Sequence, residues 1–329
     1  MFETFEKGGS VVHRNNQKLR DPLTGLDFAA WRAKVEEISN DIGQFQAIGD
    51  KHFSTFVEAG STLFVTFESA ETAMEGLTDG RPLGWDYVIE NGWSHLGLFS
   101  VGDTWFRHDD VYAFFDELLD DYFFDDFDQV IFFGAGPGGY AACAYSVCAP
   151  GSKVLALNPQ ATLSPDVTRW DDRFPQAKKL DFIERYGYAP YMVEAAEDVT
   201  ILYDTGSELD ALHAAMFEGP NVTHHRVRMF GIDLRRAFIE MGILKKLLAQ
   251  VAAGTPTDEG FGTLMRARRN HGGYLRGLLA ELVEQDRPYL TALLCRNVLS
   301  RMPAPRFRQR LDALEKAERE GLVKLPPDV

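Results

Sequence analysis

The sequence predicts an α/β fold: a mostly parallel sheet with helices on both faces, followed by a helical C-terminal extension. Two observations lead there. From residue 62 to about residue 250, short uncharged apolar runs alternate with longer stretches of helical periodicity, the pattern of right-handed βαβ units. After Gly254 no strand pattern recurs, and apolar residues keep helical spacing only. The expected organisation is a polar N-terminal arm over 1–25, an α/β domain over 26–254 and a helical extension over 255–329. No internal repeat or low-complexity tract interrupts it.

Each element has its own signal. Residues 28–38 place Trp31 and Val35 four apart, as one helix face requires. TLFVTF (62–67) and SHLGLFS (94–100) read as buried strands. The stretch between them, GLTDGRPLGW (76–85), reads as a loop from its Gly, Asp and Pro. Asp109 and Asp110 open a helix running to Leu119, with Val111, Phe114, Phe115, Leu118 and Leu119 on one face and acids on the other. An acidic turn over 120–128 precedes a strand at 129–133, a glycine-rich turn and a helix to Ala149. Residues 153–157 and 199–203 read as strands, 208–217 as a helix and 222–229 as the last strand. From Leu234 the spacing of Phe238, Met241, Leu244, Leu247 and Leu248 is helical, and 274–282 and 307–314 are among the helices of the tail.

Composition bounds the function. The 329 residues are 45% hydrophobic and 25% charged, ordinary for a globular chain with a packed core. No run reaches the ~18 apolar residues of a membrane span. The N-terminus MFETFEKGGS lacks a basic region followed by an apolar stretch, so a cytoplasmic protein without a secretory leader is expected. Cys143, Cys148 and Cys295 are too scattered for a disulfide framework or a metal knuckle. Buried thiols are expected, and no metal site. Residues 221–329 carry 19 Lys and Arg against 12 Asp and Glu, a net of +7, within a chain of net −15. The arginines are spread along amphipathic helices, and the acidic whole disfavours nucleic acid or an anionic membrane as the main partner.

The turn VIFFGAGPGGYAACA (130–144) admits two readings. Gly134, Gly136 and Gly139 fit G-x-G-x-x-G between a strand and a helix, the context of a dinucleotide site. There, glycines let the backbone approach a pyrophosphate at a helix N-terminus. Locally GAGPGGY resembles the flavin-binding turn of pyridine-nucleotide disulfide oxidoreductases, which implies FAD or NAD. Against this, the second strand ends at Leu157-Asn158, where a ribose-binding acid would be expected. At least two strands precede the turn, and no redox cysteine pair stands in that family's usual place.

The other reading is the G-x-S-x-G turn of α/β-hydrolases. Gly134-Ala135-Gly136-Pro137-Gly138 matches it with Gly136 in place of the serine. Residues 60–250 are similar to bacterial α/β-hydrolase-like proteins. The likeness runs through SHLGLFS, the turn with GYAA, VLALNPQATLSP, a strand ending at Tyr203-Asp204, and LDALHA. It implies an α/β-hydrolase-like fold with Asp204 at the position of the triad acid. Gly136 has no nucleophile. Pro137 has no N–H for the oxyanion hole, where loss of one donor costs ~10²–10³ in rate. The loop after the last strand, Phe230-Gly-Ile-Asp233, has no histidine. His224 and His225 lie inside the strand, one toward each face, and read as structural, as does His95. The chain as a whole is similar to bacterial proteins often labelled phosphoadenosine phosphosulfate reductase. It lacks the S-G-G type phosphate loop and the near-C-terminal cysteine that this activity implies, its last cysteine being Cys295.

The expected function is therefore that of a triad-less α/β-hydrolase-like protein. It would bind a small anionic, phosphate- or carboxylate-bearing ligand at the carboxyl edge of the sheet. The expected ligand-binding residues are Gly134, Gly136, Gly138, Gly139 and Tyr140 at the turn, Arg107 from GDTWFRHDD (102–110), and Asn158 and Gln160 after the next strand. His108 and Asp204 are the candidates for acid–base work. No cofactor is expected on this reading; FAD or NAD belongs to the oxidoreductase alternative. A non-catalytic interaction protein is the other alternative, and a homo-oligomer remains open. WDDRF (170–174) reads as the start of a surface helix, and the residues 102–110 also suit a helix N-cap.

Overall fold

The computed structural model describes residues 17–327 apart from 76, 232 and 255. They divide into two units, one ending at Leu264 and one beginning at Met265. Most of the expected N-terminal arm, residues 1–16, lies outside the described residues. In the remainder, Leu19 and Leu23 are buried.

The first unit is organised by its strands: β1 (Gln44–Ile48), β2 (His52–Val57), β3 (Thr62–Ser69), β4 (Ser94–Ser100), β5 (Gln129–Ala135), β6 (Lys153–Leu157), β7 (Asp198–Asp204) and β8 (Val222–Val227). They form one eight-stranded sheet in the order β1-β2-β4-β3-β5-β6-β7-β8. β2 is antiparallel to β1 and β4. From β4 to β8 every neighbouring pair is parallel. The inner strands are buried on both sides, which is why TLFVTF and VIFF carry continuous apolar runs rather than alternation.

Helices cover both faces. Phe64 meets Tyr87 at 4.7 Å, on α3 (Leu83–Asn91). Phe67, on the opposite side of β3, stacks at 5.6 Å on Tyr145, the last residue of α5 (Pro137–Tyr145). It also lies 6.2 Å from Phe115 of α4 (Asp109–Asp120). Alternate strand residues thus serve two layers. α1 (Phe28–Ile42) sets Trp31 against Phe53 and Phe99, and α2 (Ala70–Met74) follows β3 directly. After β6 come α6 (Ala189–Met192), α7 (Glu208–Ala214), α8 (Leu234–Glu240), α9 (Leu244–Ala253) and α10 (Asp258–Leu264). The strand order reverses beside β3, because β4 lies on one side of it and β5 on the other. In open α/β sheets that reversal leaves a crevice at the carboxyl ends of the strands.

The structure adds elements that periodicity did not signal. The hairpin β1–β2 was absent from the expected set; QFQAI is partly exposed and too polar to read as a buried run. The expected loop GLTDGRPLGW ends early, since Leu83, Gly84 and Trp85 already belong to α3. Pro82 stands at its N-cap, where a missing N–H costs nothing. Trp85 and Val88 are buried, and Gly92 closes the helix in the left-handed conformation at φ 66°. WDDRF does not start a surface helix either. It is irregular, and Asp171 is fully buried.

The second unit comprises a 3₁₀ turn at Met265–Asn270 and helices α11 (Gly272–Glu284), α12 (Pro288–Leu299) and α13 (Pro305–Arg319). Proline opens α12 and α13, where φ is pre-set for a first turn. Leu275, Cys295, Val298, Phe307 and Leu311 form its small core. Among the described residues no helix is long and apolar enough to cross a membrane.

Candidate functional site

At the end of β5 the chain turns through Gly136, at φ 54° and ψ −121°, directly into α5. The surrounding glycines have separate physical reasons. A Cβ on Gly134 would stand 2.0 Å from the Gly138 carbonyl oxygen, and one on Gly138 would stand 2.3 Å from that of Phe67. Side chains there would break the close approach of α5 to β3 and β5. A Cβ on Gly139 would meet Leu157 O at 3.2 Å. Gly136 differs. No atom lies within 4 Å of its Cβ position; only the positive φ favours glycine. The corner is therefore a sharp strand-to-helix turn that presents bare backbone.

Main-chain hydrogen bonds hold the corner. Gly136 N–H donates to Leu157 O at 2.8 Å, and Tyr140 N–H donates to Gly136 O at 2.9 Å. Pro137 offers no N–H. Gly138 and Gly139, second and third in α5, are buried and have no intrahelical acceptor. These are the donors the corner can present to an anion.

Asp204, at the end of β7, is 1% exposed. Its Oδ1 accepts from Gly206 N–H at 2.8 Å. Its Oδ2 accepts from Phe230 N–H at 2.5 Å and Gly231 N–H at 2.8 Å. The carboxylate thus holds the loop after β8 by its backbone. His224 bonds Phe217 O through Nε2 at 2.9 Å. His225 bonds Pro256 O at 3.1 Å and stacks on Phe261 at 4.4 Å. The partners that Asp204 takes are backbone N–H groups, whereas the two imidazoles bond the carbonyls of Phe217 and Pro256. Asn158 adopts φ 46°, where asparagine is among the better tolerated residues. Its N–H donates to Leu202 O at 2.7 Å, and its Nδ2 to Gly231 O at 3.4 Å. Gln160 donates from Nε2 to Asn158 O at 3.1 Å, and its buried Oε1 has no partner among the described residues.

The segment after β4 is occupied differently. Trp105 and Phe106 both adopt φ 55°, costly for bulky side chains, and both are buried. They turn Arg107 inward. Its Nε donates to Asp181 O at 2.7 Å, Nη1 donates to Arg185 O, and the guanidinium lies over Tyr112 at 4.9 Å and Phe182 at 5.4 Å. Arg107 therefore clamps the 181–185 segment. Tyr140 donates its hydroxyl to Tyr186 O at 2.6 Å and is fully buried. His108 is the N-cap of α4: its Nδ1 accepts from Asp110 N–H at 3.3 Å and faces Asp110 Oδ2 at 3.1 Å. The structure thus gathers Gly134, Gly136, Gly138, Gly139, Asn158, Gln160 and Asp204 at one edge of the sheet. It commits the side chains of Tyr140 and His108 to packing and capping, and it ties Arg107 to the 181–185 segment through Nε and Nη1 while the buried Nη2 has no partner among the described residues.

Sequence reasoning passed over one polar cluster. His213, on α7, faces Asp171 with Nε2 3.0 Å from Oδ2, and both are fully buried. Its Nδ1 accepts from Ala161 N–H at 3.2 Å, so Nε2 carries the proton toward Asp171. Arg173 binds the same carboxylate through Nε and Nη2, at 3.0 and 2.7 Å, and reaches Asp210 at 2.6 Å. Burial pushes the Asp171 pKa up, but the Arg173 hydrogen bonds outweigh it and hold the group at about 2. Burial pulls His213 down, with Asp171 opposing. Both ring nitrogens are in use, so the pair ties the 161–173 segment to α7 and has no free nitrogen to accept a substrate proton. The sequence signals were WDDRF and LDALHA, whose acids, arginine and histidine are apolar-flanked.

No protein-family model matches the chain, and no curated protein matches it. Similar solved structures include the capsule O-acetyltransferase of Neisseria meningitidis serogroup A, at 10% identity and a TM-score of 0.43, covering 61% of this chain and 92% of that one. Est1E from Butyrivibrio proteoclasticus shares 12% identity at a TM-score of 0.40, covering 64% and 98%. A Pyrobaculum calidifontis esterase shares 14% at 0.41, covering 72% and 95%. The fold is α/β-hydrolase-like on the chain's own features. These are a sharp strand-to-helix turn after β5, an acid at the end of β7 and a loop after β8 meeting that acid.

Proposed function

We propose that this protein is a triad-less α/β-hydrolase-like binding protein. A small phosphate- or carboxylate-bearing anion seats non-covalently at the N-terminus of α5, and no acyl-enzyme forms. One observation carries the reading. Gly136 keeps the backbone of a nucleophile corner, with open space above it, but has neither a side chain nor a following N–H. What remains is an anion-favouring helix terminus with the amides of Gly138 and Gly139. Thermal shift and calorimetry with inorganic phosphate, acetyl phosphate and AMP test it. Binding that Gly136→Val removes supports the reading; no response to any of the three overturns it.

The hydrolase chemistry has a separate test. Purified protein is expected to leave p-nitrophenyl acetate at the background rate. A non-catalytic interaction role is the second reading. It is favoured by the way Asp204 and Arg107 are both committed to backbone partners. It predicts no small-molecule response at all. The FAD or NAD alternative predicts a visible flavin absorbance or nicotinamide binding.

A further inference from the structure

The two units differ sharply in charge. Residues 265–329 contain 11 Arg and 2 Lys against 8 Asp and Glu, a net of +5, so the preceding 264 residues hold a net of −20. Within the second unit an open groove of about 600 Å³ is lined by Arg266, Arg268, Arg269 and Arg301 over a floor of Leu275, Leu278 and Leu294, with no acidic side chain in its wall. A second groove of about 660 Å³ shares Arg301 and adds Arg308 beside Leu299 and Met302.

Arg301 is preset. Its nitrogens donate to Asn297 O, Asn297 Oδ1, Arg269 O and Asn270 Oδ1 at 2.5–3.2 Å. Arg266 and Arg269 are exposed, and their guanidinium groups have no partner among the described residues. An apolar floor with an arginine rim fits a segment that alternates large apolar side chains with carboxylates. It fits nucleic acid less well. The groove's aromatic ring, Tyr274, already carries Arg268 at 5.8 Å, whereas nucleic-acid sites offer free rings on which bases stack.

The first unit displays such a segment. Residues 116–128, DELLDDYFFDDFD, hold seven acids and no base. Phe123 and Phe124 are buried and anchor it, Phe123 packing on Phe56 at 5.2 Å. Leu119 is 41% and Tyr122 73% exposed. Tyr122 adopts φ 54°, a conformation costly for a bulky residue, and displays its ring at the tip. Asp120, Asp121, Asp125 and Asp126 surround it, exposed and without an ion-pair partner among the described residues.

We infer that the arginine-lined groove of the second unit docks the 119–126 projection of a second copy of this chain, head to tail. Leu119 and Tyr122 enter the leucine floor while the aspartates meet Arg266, Arg269 and Arg308. Arginine suits the task because its planar fork matches carboxylates. The contact is heterologous, joining two different surfaces.

Light scattering and sedimentation of the full chain test this at about 0.01 M and about 1 M salt, where screening lengths are ~30 and ~3 Å. Self-association is expected at low salt and is lost at high salt. Arg266→Glu with Arg269→Glu, and separately Asp120→Arg with Asp121→Arg, each weaken it by at least ~10-fold while circular dichroism is unchanged. Mixing the two variants restores association, because each then offers the other a surface of opposite sign. A chain that is monomeric at both salts overturns the inference. So does association that neither reversal weakens, or failure of the mixture to associate. A monomer that binds labelled single-stranded RNA through Arg266 and Arg269 overturns it in favour of nucleic acid.

Discussion

Asp204 and Gly231 are joined across the end of the sheet: the buried carboxylate accepts the Gly231 N–H at 2.8 Å. In a hydrolase the acid at this place orients a histidine. Here it binds the backbone of the loop where that histidine would be carried, and it takes Phe230 and Gly206 N–H as well. Asp204 thus braces this loop through its backbone.

Asp204→Ala should therefore lower stability by about 2–4 kcal/mol, since it leaves three N–H donors without their charged acceptor. Asp204→Asn should cost less, about 1–3 kcal/mol, because one oxygen remains an acceptor. Urea midpoints of the two variants check this. An Asp204→Ala protein as stable as the parent would show that the carboxylate is retained for another reason.

The glycines of the corner should separate by cause. Gly138→Ala places a Cβ 2.3 Å from Phe67 O, a backbone atom that cannot move freely, and should cost about 3 kcal/mol or more. Gly136→Ala meets no atom and should cost only the backbone strain of φ 54° with ψ −121°, about 1–3 kcal/mol. Gly136→Ser should fold and still fail to hydrolyse esters, because Pro137 and the missing histidine remain. Denaturation curves and p-nitrophenyl acetate assays read both.

Stability should decline on mild acidification. Burial holds His95 at about 3 and His52 at about 4; burial also lowers His213 and His225. A folded pKa below the unfolded value of about 6.5 means the unfolded chain binds more protons. The contribution is complete above that value and is lost as pH falls through it toward the folded pKa. Each histidine adds a slope of up to about 1.4 kcal/mol per pH unit. Urea midpoints at pH 7.5, 6 and 5 should fall steadily, before the carboxylates titrate. A flat profile over that range would contradict burial of neutral imidazoles.

The thiols should be inert in the native protein. Cys143, Cys148 and Cys295 are buried. Burial pushes Cys148 and Cys295 up to about 11 and Cys143 higher still. Since the thiolate is the reactive species, a disulfide reagent at pH 8 should label none of them quickly and all three after denaturation.

What could be read from consecutive residues was the parallel strand–helix alternation and the turn after β5, with glycine at 136, proline at 137 and no histidine in the loop 230–233. Those signals are local. Periodicity, a missing side chain at Gly136 and a missing N–H at Pro137 are properties of neighbours in the chain. The hairpin β1–β2 escaped because β1 is half-exposed and β2, though buried, interrupts its apolar run with His52, Ser54 and Thr55. The partners of polar side chains escaped for a deeper reason. Arg107 bonds carbonyls 74 and 78 residues away, and His213 meets Asp171 across 42. A charged group's role is set by which acceptor burial brings to it, and a sequence does not display that until the sheet has closed the distance. So the chain alone determined that the corner is bare. Only the tertiary structure decided that Arg107, Tyr140 and Asp204 were already taken by backbone oxygens and amides.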